Sequence, residues 1–270
     1  TGAETIKREL MDGLRTSQKM ISPKFFYDKA GSELFEEITH LPEYYPTRSE
    51  KEILLSLTHN LDTDFHDLNI IELASGDSSK ISLIMQQLSP EILSTISYIP
   101  IDISLSALEK STAEINENFY LKEITGIVAD IHSGSFMTER NGRNLFLFPG
   151  STIGNFSKTE RENFMLTIGK TMKKGDLFLL GADLIKATGI IEKAYNDERG
   201  VTEKFNKNIL NAVNSKLNTN FDPNDFNHRA FYNQEKKRVE MHLEARSDLS
   251  ISINSRPFIA LKKGENIHTE

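Results

Sequence analysis

The sequence contains no cysteine, which excludes disulfides, thiolate-ligated zinc and cysteine nucleophiles. It has no apolar run near the ~20 residues a membrane-spanning helix requires, so no membrane association is expected. Positive charge is not in excess. Lys and Arg number 32 against 39 Asp and Glu, a formal net charge of -7. Phosphate recognition needs a basic surface, so nucleic acid is not an expected partner. Thr1 to Thr16 is charged and amphipathic and lacks the apolar stretch of a leader, which predicts a cytoplasmic protein. There is no internal repeat, no low-complexity segment and no Gly-x-Ser-x-Gly elbow. Gly169-Lys170-Thr171 ends like a phosphate loop, but Phe164 stands where the first glycine must be. The seven histidines (His40, His59, His66, His132, His228, His242 and His268) show no metal-ligand spacing along the chain, and no metal is expected.

What the 270 residues do contain reads in three parts. Residues 1–58 read as helical: Ile6, Leu10 and Leu14 share a helical face, and Thr47-x-x-Glu50 reads as a capping box opening a helix toward Leu57. Residues 68–184 alternate apolar strands with amphipathic helices, the pattern of a parallel sheet covered on both faces. The strands are expected at Leu68–Leu73, Ile96–Ile103, Ile124–Asp130, Leu145–Phe148 and Leu177–Ala182, and Ser157-x-x-Glu160 is a second capping box. Beyond 185 a helix is expected over Val201–Leu217. Strict alternation follows, with Val239, Met241, Leu243 and Ala245 on one face and Arg238, Glu240, His242, Glu244 and Arg246 on the other. That alternation predicts a half-solvated antiparallel strand. The expected fold is α/β: a Rossmann-like core at 59–184, and a second α+β lobe made of 1–58 together with 185–270. The active site is expected between the two.

In such sheets ligands bind at the carboxyl ends of the strands, near the switch in strand order. The first strand runs into Ala74-Ser75-Gly76-Asp77-Ser78-Ser79-Lys80, a turn of small residues. The second ends in Asp102, positioned for a ribose, and the third in Asp130, positioned for an adenine. The fourth leads into Pro149-Gly150-Ser151-Thr152-Ile153-Gly154-Asn155. The turn lacks the three glycines of a dinucleotide fingerprint. Glu-x-x-x-Gly followed by acids closing the next two strands instead resembles S-adenosylmethionine (SAM) methyltransferases. Upstream, prolines fence two adjacent tyrosines in Pro42-Glu43-Tyr44-Tyr45-Pro46-Thr47-Arg48, a stiff segment suited either to a small polar ligand or to a packed turn.

Several long motifs together resemble the histidine-specific Nα-methyltransferases. They are Phe26-Tyr27-Asp28, Gly31-Ser32-Glu33-Leu34-Phe35, the Pro42–Arg48 segment, Glu72-Leu73-Ala74-Ser75-Gly76 with Lys80, and Gly150–Asn155. Tyr195-Asn196-Asp197 with Gly200-Val201-Thr202, and Gly264-Glu265-x-Ile267-His268-Thr269-Glu270, complete the set. The resemblance implies SAM-dependent methylation of the α-amine of L-histidine to trimethylhistidine (hercynine), on the route to ergothioneine, with SAM as cofactor and a small amino acid as substrate. It implies that Tyr27 touches the methionine part of SAM and the substrate amine. Ala74 and Gly76 would line the SAM turn, Lys80 would meet the SAM carboxylate, Asp102 the ribose and Asp130 the adenine. Tyr44, Asn155 and Tyr195 would hold the amino acid's carboxylate and amine, Tyr27 and Asn155 would assist the chemistry, and Glu270 would receive the imidazole.

Two departures stand out. Ala74 occupies a place where the family usually has glycine, which predicts a modest effect on the turn. The sequence also stops at Glu270, whereas the resemblance implies a serine two residues further on and two closing strands beyond. An exposed sheet edge is the expected consequence. Two alternatives remain open: methylation of another amino acid such as a prenylated tryptophan, or binding of SAM and an amino acid without turnover.

Overall fold

The computed structural model describes residues 2–131 and 140–270. The chain divides into two compact units, Thr1–Tyr45 with Ile185–Glu270, and Pro46–Leu184. The segment from Pro46 onward thus joins the second unit, earlier than the expected boundary at 59. The cause is apolar: Leu54 and Leu57 are buried in one cluster with Leu68, Ile70 and Ile81. The helix that carries Leu54 runs Tyr45–Leu54 and does not start at Thr47. Pro46 fits a first helical turn, where its missing N–H is not needed. Thr47 lies inside the helix and caps nothing, which frees Glu50 for another role.

In chain order, β1 (Lys19–Met20) belongs to the first unit. β2 (Leu68–Leu73), β3 (Ser97–Asp102), β4 (Glu123–Ile124), β5 (Ile127–Val128), β6 (Arg143–Phe148) and β7 (Leu177–Leu180) form the second. β8 (Phe226–Asn233), β9 (Arg238–Ala245), β10 (Leu249–Ile253), β11 (Arg256–Leu261) and β12 (Asn266–His268) return to the first.

The second unit is a parallel sheet of order β4-β3-β2-β6-β7, with β5 also paired to β3. All six residues of β2 are buried, as a strand covered on both faces requires. The order runs outward from β2 in both directions, which makes its carboxyl end the switch point. This is the α/β, Rossmann-like core expected. One expected strand, Ile124–Asp130, is instead two short pieces interrupted at Thr125-Gly126. The Ser157 capping box is complete, with both reciprocal hydrogen bonds made.

The first unit is α+β. Its sheet has the order β1-β12-β9-β8, with β10–β11 as a separate hairpin. The helix Val201–Leu217 buries Val201, Phe205, Ile209, Leu210, Val213 and Leu217 in one core with Leu10, Leu14, Phe26, Met241, Leu243 and Ile267. Asp197 starts that helix by accepting from the backbone N–H of Val201 and Thr202, each at 2.8 Å. Burial pushes the Asp197 carboxyl pKa up, but these backbone donors outweigh it and the net shift is downward. The polar face of β9 differs from the half-solvated strand expected. Glu240 is 3% and His242 7% exposed. Lys236 and Arg238 both bond Glu240 Oε1, and Phe231 stacks on the His242 ring at 5.4 Å. Among the described residues no helix is long and apolar enough to cross a membrane.

Candidate active site

Of the residues expected for the cofactor, Ala74, Gly76, Lys80, Asp102 and Asp130 lie in the second unit, in and after the segments that follow β2, β3 and β5, while Tyr27 lies in the first. Ala74 and Gly76 both adopt the left-handed region, at φ 52° and 57°, and fold the chain back after β2. The Gly76 N–H donates to Asp102 Oδ2 at 2.9 Å, and the Ser104 N–H to Asp102 Oδ1 at 2.9 Å. Asp102 therefore braces the turn and still has lone pairs to offer a ligand. Ala129 N–H bonds the Asp102 carbonyl, which fixes the segment leading to Asp130 alongside. Two features fit a bound nucleoside here. The Ser75 hydroxyl is buried with no partner among the described residues, and nothing lies within 4 Å of where a Gly76 Cβ would stand. The small turn, orphan hydroxyl and two carboxylates suit the hydroxyl- and amine-rich adenosine end of SAM.

Lys80 sits at the start of the helix Ser79–Met85, and its ammonium pairs with Glu50 Oε2 at 2.9 Å. Glu50 Oε1 accepts from Gly150 N–H at 2.5 Å. A side chain at Gly150 would run into the Lys80 ammonium, and its φ of 80° favours glycine as well. Glu50 thus ties Lys80 to the loop after β6, a role the capping-box reading hid. That loop continues through Ser151, left-handed at φ 55°, to half-buried Asn155 at the end of a 3-10 turn. Below the turn Glu72 is buried and accepts from the Tyr98 hydroxyl at 2.6 Å. Burial raises the Glu72 pKa to about 7, against the opposing pull of that hydrogen bond and of Lys80.

The first unit gathers Tyr27, Tyr44, Tyr195 and Glu270. The three tyrosines join through Phe35 in one edge-to-face chain: Tyr27–Phe35 at 5.7 Å, Phe35–Tyr44 at 6.3 Å and Tyr44–Tyr195 at 6.0 Å. Such contacts hold rings rigidly while leaving hydroxyls for hydrogen bonds. Tyr27 follows the short turn Pro23–Phe26, and Phe26 stacks on Phe205 at 4.5 Å. Asp28 caps the next helix by accepting from Gly31 N–H at 2.7 Å, and it also accepts from Asn208. Gly31 is required: a Cβ there would overlap the Phe26 carbonyl. Burial, helped by the Glu270 charge, raises the Tyr27 pKa. Protein crowds the hydroxyl, yet 48% of the residue is open, so water entering this opening weakens the shift without changing its direction. Burial lifts the Glu270 carboxyl to about 7.

A buried polar chain that sequence reasoning missed supports this end. Thr269, fully buried, donates to Asn206 Oδ1 at 2.7 Å. The His242 carbonyl, which can only accept, takes a hydrogen bond from Asn206 Nδ2 at 3.1 Å and so fixes the amide; the same Nδ2 donates to His228 Nδ1 at 2.9 Å. His228 must then be protonated on Nε2, which donates to the Tyr195 carbonyl at 2.9 Å. Burial lowers the His228 pKa and keeps the ring neutral. The chain links the residue beside Glu270 to Tyr195. No spacing along the chain indicates it. Of the histidines, His132 lies outside the described residues. Distant spacing also conceals proximity: Glu240, His242 and His268 each offer a ligand atom within 4.8 Å of the others. The groove of the first unit lined by Met11, Arg15, Arg256 and Phe258 contains none of the predicted site residues.

A family model described as "Histidine-specific methyltransferase, SAM-dependent" matches residues 6–270. The Histidine N-alpha-methyltransferase of Mycolicibacterium smegmatis is 36% identical over 100% of this chain and 84% of that protein. The protein of the same name from Mycobacterium tuberculosis is 35% identical with the same coverage. Ergothioneine biosynthesis protein 1 of Schizosaccharomyces pombe is 28% identical over 83% of this chain and 30% of its own length.

Proposed function

The chain belongs to the histidine-specific, SAM-dependent methyltransferase family, and from that premise we propose that it methylates the α-amine of L-histidine, carrying it to the trimethylated product, hercynine. It is a SAM-dependent N-methyltransferase. The observation that carries the substrate reading is the aromatic chain Tyr27–Phe35–Tyr44–Tyr195 with the Glu270 carboxyl beside Tyr27.

Tyr44 and Tyr195 hydroxyls can donate to the substrate carboxylate without themselves carrying charge, and the Asn155 amide can donate to a carboxylate or accept from an amine. The carboxyl of Glu270, poised near 7, matches an imidazole whose ordinary pKa is ~6.5. The pair can share a proton as a charge-assisted hydrogen bond. Ala74, Gly76, Ser75, Asp102 and Asp130 would hold the nucleoside end of SAM, and Lys80 its carboxylate. Bound SAM supplies an activated methyl group on a sulfonium, so these residues have only to bind and orient. The amine must be neutral to react. Tyr27 keeps its own proton, because its pKa is raised, so it acts as hydrogen-bond partner rather than base, and water carries the amine proton away. The reaction as proposed needs no metal, and the protein acts in the cytoplasm.

Mass spectrometry of histidine incubated with SAM tests this. Successive mono-, di- and trimethylhistidine, with one S-adenosylhomocysteine released per methyl, is the expected result. Preference for a prenylated tryptophan would replace the substrate. Binding of both ligands without S-adenosylhomocysteine release would end the reading as a histidine methylase.

A further inference from the structure

We propose that the polar, buried face of the β9–β12 pair binds a divalent transition-metal ion of the zinc class, held by Glu240, His242 and His268. The sheet builds the constellation. His242 and His268 are direct partners in the antiparallel pairing. Glu240 lies two residues before His242 and so points to the same face. The two imidazole centroids are 4.9 Å apart, and one ligand atom from each of the three residues lies within 4.8 Å of the others. Tetrahedral zinc with ligands near 2.1 Å spaces them about 3.4 Å apart, so a small side-chain rotation closes the site.

The surrounding hydrogen bonds aim lone pairs inward. Asn266 Oδ1 accepts from Gln18 Nε2 at 2.9 Å, which identifies it as the oxygen. His242 Nδ1 lies 2.9 Å from the same atom and must be the donor. A neutral His242 then turns an unprotonated Nε2 toward Glu240 Oε2, 3.3 Å away. Two acceptors face each other there, and a cation resolves the conflict. A metal-bound histidine usually donates its other ring N–H to a carbonyl in this way. His268 Nε2 is buried and has no partner, a state that buried polar atoms rarely keep. Two positive groups oppose the ion. Lys236 and Arg238 both engage Glu240, but on Oε1, at 2.9 and 2.7 Å, leaving Oε2 for the rings. Their charge predicts weaker binding than at a four-ligand structural zinc. Occupancy would clamp β12, and with it Thr269 and Glu270, onto β9.

The rival occupant of the gap is a proton, which would make His242 an imidazolium bridging Glu240 and Asn266. The test uses the untagged chain, stripped with chelator and titrated with zinc alone in a calorimeter. One saturable equivalent is expected, together with a rise in thermal midpoint. His268→Ala and His242→Gln should each weaken binding at least tenfold. His66→Ala, removing an exposed ring beside Asp64, should leave it unchanged. Imidazole nitrogen NMR on the unmutated chain keeps the test open if a variant misfolds: zinc should shift His242 and His268 together. Absence of saturable binding, equal binding by His268→Ala, or a His242 ring protonated on both nitrogens at neutral pH and unmoved by zinc would overturn the proposal.

Discussion

The two units place their candidate site residues differently. In the second they belong to a local turn and strand ends: Ala74, Ser75 and Gly76 are consecutive, Asp102 closes β3 and Asp130 lies two residues past β5. In the first, Tyr27, Tyr44, Tyr195 and Glu270 lie far apart in sequence and are brought together by an aromatic chain and the buried Thr269–Asn206–His228 network. A site made of backbone depends on local conformation. A site assembled from distant side chains depends on packing and buried hydrogen bonds, and single changes should harm it more.

The largest expected effect tests that claim at Gly31. Gly31→Ala places a methyl against the Phe26 carbonyl, so the turn carrying Tyr27 and Asp28 must move. A loss of roughly 3–5 kcal/mol, the range of severe single mutants, is expected, and urea unfolding reads it. A loss under ~1 kcal/mol would mean that the assembled unit tolerates displacement as a turn does.

Glu72 sharpens the contrast, because it is the buried titratable group beneath the backbone-built site. Its folded pKa of about 7 lies above the ordinary 4.5. Between those values the unfolded chain has released a proton that the folded chain retains. Stability therefore falls as pH rises through that window and levels off above it, by about 3 kcal/mol for the full shift. Glu72→Gln keeps an oxygen for the Tyr98 hydroxyl and should flatten the profile between pH 5 and 7. Identical profiles in the two proteins would place the titration elsewhere.

Glu270→Ala is next. One charged hydrogen bond is worth about 1.5–3 kcal/mol, so histidine affinity should drop roughly 10- to 150-fold while SAM affinity stays level. Asn155→Ala should weaken every amino-acid substrate alike, because the amide addresses atoms they share. Calorimetry across a panel of amino acids separates the patterns, and an even loss in Glu270→Ala would remove it as the imidazole reader.

What could be read from the sequence follows the same division. β2 and the helix Val201–Leu217 were legible to the residue because apolar periodicity and their boundaries agree. The placement of Asp102 at the end of β3, and of Asp130 two residues past β5, was legible because apolar runs mark where strands stop. Glu50 was misread: a serviceable capping-box pattern outweighed Pro46, and nothing local indicates that a helical glutamate will hold Lys80 and Gly150. The polar face of β9 was misread because alternation reports which residues share a face and not what covers it. Glu240 is buried, and Lys236 and Arg238 both bond its Oε1. The grouping of Tyr27, Tyr44, Tyr195 and Glu270 came from family resemblance alone, since no spacing rule joins positions so far apart.

The smallest expected effect lies in the turn where local conformation dominates. Ala74 stands at φ 52°, a region that disfavours a Cβ by about 1–2 kcal/mol. Its replacement by glycine removes that strain, but glycine also frees the unfolded chain by about 0.4–1 kcal/mol. Ala74 further loses a methyl packed on the cluster of Ile71, Leu73 and Ile99. Ala74→Gly should therefore stabilise the protein slightly, by roughly 0.5 kcal/mol. Gly76→Ala in the same turn has the opposite sign. At φ 57° it incurs the strain, and its methyl enters the open space beside the backbone, where it should weaken SAM as well. Urea midpoints and SAM calorimetry on the two variants measure both effects. If both variants shift in the same direction, the turn is not governed by its backbone angles, and the distinction between a backbone-built and an assembled site fails at its simplest point.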